Sequence, residues 1–167
     1  MNLKYKKMTF LALSVSLAMI LSFVEGLIPP LVAIPGVKIG LANIVTVFLL
    51  YTLGWRAAGV VSLIRVLLSA LLFGNVQSMI FALSGALLSF IVMIIAKRLL
   101  PFGKVGVSVL GAIAHNAGQV AAAVIVMETA ALAYYFIPLV ISGTVAGVFV
   151  GILAAILTAR LEKVIKM

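Results

Sequence analysis

Gln77–Ala96 reads QSMIFALSGALLSFIVMIIA, twenty residues without a charge, and stops at Lys97-Arg98. A helix of that length rises about 30 Å, the hydrocarbon thickness of a bilayer. It carries no polar face, so its surroundings must be apolar on every side. The rest of the chain decides whether protein or lipid supplies them. Of 167 residues, 66% are hydrophobic and 9% charged, and the mean hydropathy is +1.41. Soluble domains run at about 45–50% apolar and about 25% charged. One water-soluble core at this length cannot hide so much apolar surface, and disorder requires the opposite composition. Lipid is the solvent.

Working outward, five more segments have spanning length: Met8–Ile28, Ile39–Trp55, Ala57–Gly74, Val105–Met127 and Tyr134–Ala159. The first is too long for a signal-peptide core, and Pro29-Pro30 follows it in place of a small-residue cleavage site. The basic residues fall between the spans. Lys4, Lys6 and Lys7 precede the first; Arg56 follows the second; Lys97, Arg98 and Lys104 follow the fourth; Arg160, Lys163 and Lys166 end the chain. With the N-terminus in the cytoplasm all of these lie inside, leaving Lys38 outside and Arg65 within the third span, as the positive-inside rule requires. The expectation is an all-α polytopic membrane protein: one domain over residues 1–167, six transmembrane helices, both termini cytoplasmic, multi-pass in the plasma membrane. The net charge of +9 is then topological, and nucleic acid is not an expected partner.

Between the first two spans, Pro29–Lys38 reads PPLVAIPGVK. Three prolines in ten residues cannot continue a helix, and the segment is either a stiff cover over a cavity mouth or a plain connection. Gly143, Gly147 and Gly151 recur every fourth residue in the sixth span, as do Ser14, Ala18 and Ser22 in the first, with Ala12 and Ser16 one stripe over. Such stripes serve close helix packing inside the bundle or docking of a second membrane protein.

Polar residues inside the spans are the candidates for function. Arg65 lies mid-span in IRVLLSALLFG, where a guanidinium costs about 2.5–3.5 kcal/mol on insertion scales. It either bonds carbonyls or one of the glutamates Glu25 and Glu128, or it binds an anionic ligand. In the fifth span, GAIAHNAGQ places His115 and Gln119 on one helix face with Asn116 beside them, fit for ligand contacts or for an interhelical network. Lys38 and Asn43 stand at the outer start of the second span, and Asn75 and Gln77 at the outer bend between the third and fourth. By depth, these groups converge from the outside toward mid-membrane, the pattern of an outward-open binding pocket.

Several chemistries are excluded. The chain has no cysteine and one histidine, so no metal site is expected, and no cofactor. There is no G-x-x-x-x-G-K-S/T phosphate loop. There is no aspartate, which removes Mg²⁺–diphosphate catalysis of the Asp-rich kind and any Ser–His–Asp triad. No enzyme is expected.

PGVKIGLANIVTVFLLYTLG at Pro35–Gly54, the Arg-bearing third span and GAIAHNAGQ at Gly111–Gln119 together resemble the Gx transporter family, also catalogued as heptaprenyl diphosphate synthase component I, over nearly the whole chain. That family is similar to the six-helix S components of energy-coupling factor transporters. The resemblance implies a substrate-binding subunit that takes up a vitamin or an isoprenoid or quinone precursor, with a transmembrane coupling subunit and ATPase subunits as partners. Pro35, Gly36, Lys38, Gly40 and Asn43 would form the pocket mouth, and His115, Asn116 and Gln119 its lining. The Ala-x-x-x-Ala docking face usual on helix one is replaced here by Ala12-to-Ser16 and Ser14-to-Ala18. The expected substrate-binding residues are therefore Lys38, Asn43, Arg65, His115, Asn116 and Gln119, for a small anionic organic molecule. The alternatives are a non-catalytic membrane subunit of heptaprenyl diphosphate synthesis and an independent carrier.

Overall fold

The computed structural model describes the backbone of residues 3–27 and 40–165 and the side chains of residues 5–27 and 40–161. The described chain is helical throughout: α1 (Leu3–Leu27), α2 (Asn43–Thr52), α3 (Trp55–Phe73), α4 (Val76–Leu99), α5 (Lys104–Val126) and α6 (Phe136–Ile165), with a 3₁₀ stretch at Ala130–Tyr135 leading into α6. Five segments are long and apolar enough to cross a membrane: Tyr5–Leu27, Trp55–Phe73, Val76–Leu99, Lys104–Val126 and Ala130–Leu161. Their apolar residues face outward in large number, as lipid contact requires: Leu71 is 73% exposed and Ile125 75%.

The second segment differs from its expected span of 39–55. Its helix has ten residues, about 15 Å of rise and half the hydrocarbon thickness. Two glycines delimit it. Gly40 at φ +77 and Gly54 at φ +88 take backbone angles that end helical bonding. Hydropathy does not register them, since glycine is nearly neutral on such a scale. A half-length helix survives at membrane depth only inside protein, and α2 meets that condition. Every residue from Ile44 to Leu50 is buried, and α2 touches α1, α3, α5 and α6. Its ends are tied down as well. Gly40 N–H donates to Glu25 Oε1 of α1, and Leu50 C=O accepts from Lys97 Nζ of α4 at 2.6 Å, a cation on the negative end of the helix dipole.

Short connections reverse the chain between α2, α3, α4 and α5, and the rings of Phe10 and Phe48, 6.4 Å apart, set the start of α1 beside the end of α2. Arg56, Lys97, Arg98, Lys104 and Arg160 consequently share one end of the bundle with the start of α1. At the opposite end Asn75 caps α4, its Oδ1 accepting from Ser78 N–H at 2.8 Å, so that polar residue is committed to the fold.

The glycine stripe of α6 packs inside the bundle. A Cβ at Gly147 would meet Val109 Cα at 2.7 Å, and one at Gly151 would meet Val105 Cα at 2.6 Å. Gly85, Gly111 and Gly118 serve the α4–α5 contact in the same way. On α1, Ser14 and Ala18 face inward, whereas Ala12 and Ser16 are exposed. The Pro29–Lys38 segment lies outside the described residues.

These contacts predict a contrast. Gly118→Ala would set a methyl 2.6 Å from Ser84 O, backbone that cannot yield cheaply, and should cost about 1–3 kcal/mol. Gly26→Ala meets nothing within 4 Å and should leave stability unchanged or slightly raised. Thermal unfolding of both variants in one detergent reads the difference.

Candidate functional site

Asn43, Arg65, His115, Asn116 and Gln119 line a single cavity of about 80 Å³ between α2, α3, α5 and α6, with Glu25 of α1 at its side. Lys38 lies outside the described residues. The cavity has room for about three water-sized groups at about 30 Å³ each.

Each wall follows from local structure. The α2 wall exists because the helix stops short: Gly40, Ala42 and Asn43 bring the positive end of a helix dipole to the cavity. The first amides of α2 turn back in a tight 3₁₀-like pattern, Asn43 N–H to Gly40 O at 2.9 Å and Ile44 N–H to Leu41 O at 3.1 Å. The helix lacks a side-chain cap. The α6 wall is smooth because Gly143, Ala146 and Gly147 carry little or no side chain. On α5, residues 112, 115, 116 and 119 present one face, as the i, i+3, i+4 and i+7 spacing dictates.

Arg65 is the dominant charge. Its Nη2 donates to Asn43 Oδ1 at 3.4 Å, long for a hydrogen bond. Its Nε is fully buried and has no hydrogen-bond partner among the described residues. Glu25 is the carboxylate whose charge acts on it, but one Glu25 oxygen is engaged by Gly40 N–H. A guanidinium offers five donors, of which Nε has no hydrogen-bond partner among the described residues.

Asn116 serves the fold on one side. Its Nδ2 donates to Leu139 O of α6 at 2.7 Å, and a Cβ at Gly143 would meet that nitrogen at 2.6 Å. It thus makes an interhelical bond and also borders the cavity. Ser108 and Met93 complete the lining. Sequence reasoning passed over both, because a lone serine or methionine in an apolar span carries no signal of its facing. Glu25 was legible only as a candidate partner for Arg65. Among the described residues there is no group of three or more His, Cys, Asp or Glu side chains able to hold a metal ion.

Fold and cavity together define a multi-pass helical membrane protein with a small chamber of mixed polar and apolar lining beside one arginine. The chain matches the family of heptaprenyl diphosphate synthase component I over residues 14–157, and it belongs to that family. No curated protein and no solved structure significantly matches it.

An arginine retained as a stabilising ion pair and one retained for a ligand respond differently to removal. Removing one partner of a well-formed buried ion pair costs about 3–5 kcal/mol, because the other charge is left uncompensated. Arg65 makes a long hydrogen bond to Asn43 and Glu25 is already engaged by Gly40 N–H, so Arg65→Met is expected to cost the ligand-free protein less than that, read by thermal denaturation in detergent.

Proposed function

We propose that the chain is the substrate-binding subunit of a membrane uptake system and holds a small anionic organic compound in the Arg65 cavity. The observation that carries this reading is the meeting of Arg65 with the dipole-positive end of a half-length helix. Transporters aim half-helix N-termini at anionic substrate groups near mid-membrane. Here the positive end of α2 and a guanidinium whose Nε has no partner among the described residues border the same 80 Å³ chamber. Asn43, His115, Asn116 and Gln119 supply hydrogen-bonding groups for orientation. With the basic end in the cytoplasm, as the positive-inside rule favours, the chamber opens toward the exterior of the plasma membrane.

Chamber size narrows the ligand. Room for about three water-sized groups suits a single carboxylate or phosphate group, as in a vitamin fragment or an isoprenoid or quinone precursor. A seven-isoprene chain would have to lie outside it. Energy would come from a separate coupling subunit and ATPases, as in the S components this chain resembles. The chain's own residues bind and orient; no catalytic step is assigned to them.

The family's description favours a second reading, a non-catalytic membrane subunit that works with the other component of heptaprenyl diphosphate synthase. Mild-detergent co-purification separates the two: ATPase and coupling subunits on the first, a soluble prenyltransferase on the second.

Binding of small carboxylates and phosphates, scored by thermal shift and then by equilibrium titration, tests the site. Arg65→Ala should weaken the best binder at least about tenfold, the worth of a charge-assisted hydrogen bond, with a smaller loss for Asn116→Ala. Wild-type affinity in both variants would remove the site assignment.

A further inference from the structure

A cluster of cations lies at the basic end, away from the Arg65 cavity. The Tyr51 ring, one residue before the end of α2, is faced by two ammonium groups: Lys97 Nζ of α4 at 4.7 Å and Lys104 Nζ of α5 at 5.4 Å. Both are attracted to the ring, but each repels the other. Lys97 also donates to Leu50 O, which accepts one of its three protons. No described side chain at this end is a carboxylate. The chain has three acids. Glu25 and Glu128 belong to the far end, and Glu162 shares the near end with Arg56, Lys97, Arg98, Lys104 and Arg160. Positive charge is in excess there, and it is concentrated over one tyrosine.

Two further observations give the counter-charge a chemistry. Tyr51 Oη is buried and lacks a hydrogen-bond partner among the described residues, on the same ring that the two ammonium groups face. Beside the two lysines, Leu99, Leu100 and Phe102 are 75%, 42% and 49% exposed. Anion-binding groups flanked by open apolar surface at the end of membrane spans match an amphiphile better than an acidic peptide, which would leave that surface uncovered. We propose that Lys97, Lys104 and the Tyr51 hydroxyl form a binding site for the phosphate of an anionic phospholipid, whose acyl chains lie along Leu99, Leu100 and Phe102.

The test is native mass spectrometry of the full chain in detergent, titrated with phosphatidylglycerol or phosphatidylcholine. Wild type should retain phosphatidylglycerol in preference to phosphatidylcholine. Lys104→Gln should lower its affinity about fivefold, the contribution of one lysine near an anionic headgroup, and Tyr51→Phe should lower it while keeping the ring. Lys6→Gln/Lys7→Gln, a larger charge loss elsewhere on the same end, should leave affinity unchanged. Lys97 is spared because it also caps α2. Equal losses in the Lys6/Lys7 control would mean diffuse attraction and would overturn the site. So would unchanged binding in both Lys104→Gln and Tyr51→Phe. Displacement of the lipid by inorganic phosphate at matching concentration would make the ligand a free anion, and saturation by an acidic soluble protein with no lipid adduct would make the face a protein contact; either result overturns the lipid assignment.

Discussion

Hydrocarbon offers no hydrogen bonds, and that single fact governs this molecule through α2. A ten-residue helix cannot reach water at both ends, so each polar group it leaves open must be met by protein or by a wet cavity. The bundle does both. Toward the basic end, Leu50 O is met by Lys97. At the other end, Gly40 N–H is met by Glu25, and Asn43 meets Arg65. Around its girth, seven consecutive residues from Ile44 to Leu50 are buried, so the long helices must surround it. The five long segments can tolerate lipid on one side because their backbones are satisfied internally. α2 cannot, and its position fixes theirs.

The cavity is the direct product of that short helix. Where α2 ends, a full-length span would have continued, and the space it leaves is floored by Asn43 and walled by α5 and α6. Those two helices approach so closely that Gly147 and Gly151 touch the α5 backbone, and the Asn116–Leu139 bond at 2.7 Å closes the contact at cavity depth. That side of the cavity is thus a closely packed helix pair, and Arg65 stands on the other.

Much of this was legible in the sequence, and what was missed has a physical cause. Apolar run length located α1, α3, α4, α5 and α6 because a span's length is dictated by bilayer thickness. Depth of the polar residues followed from the same arithmetic, which is why Asn43, Arg65, His115, Asn116 and Gln119 could be grouped. Facing could not be read in the same way. An all-round apolar helix has no moment to orient it, so the glycines of α6 read equally as a docking stripe or as packing. The break in the second span was invisible to hydropathy, since it depends on left-handed backbone at Gly40 and Gly54. Asn116 shows the limit at one residue: its polarity announced a role, and only the structure shows that Leu139 takes one of its protons.

The placement of charge follows one economy throughout. Three acids serve a chain with twelve lysines and arginines, so carboxylates cannot neutralise most of the positive groups. Glu25 is spent where the need is greatest, near a guanidinium deep in the bundle, and even there it is shared with the Gly40 amide. At the basic end, where water and headgroups are near, weaker acceptors suffice: Trp55 beneath Arg56 at 5.4 Å, Tyr51 beneath two lysines, one carbonyl for Lys97. A membrane protein that needed positive charge only for topology could leave it fully solvated. Here Arg65 is instead met by the Asn43 amide and the charge of Glu25, and three cations of the basic end are held against aromatic rings and one backbone carbonyl.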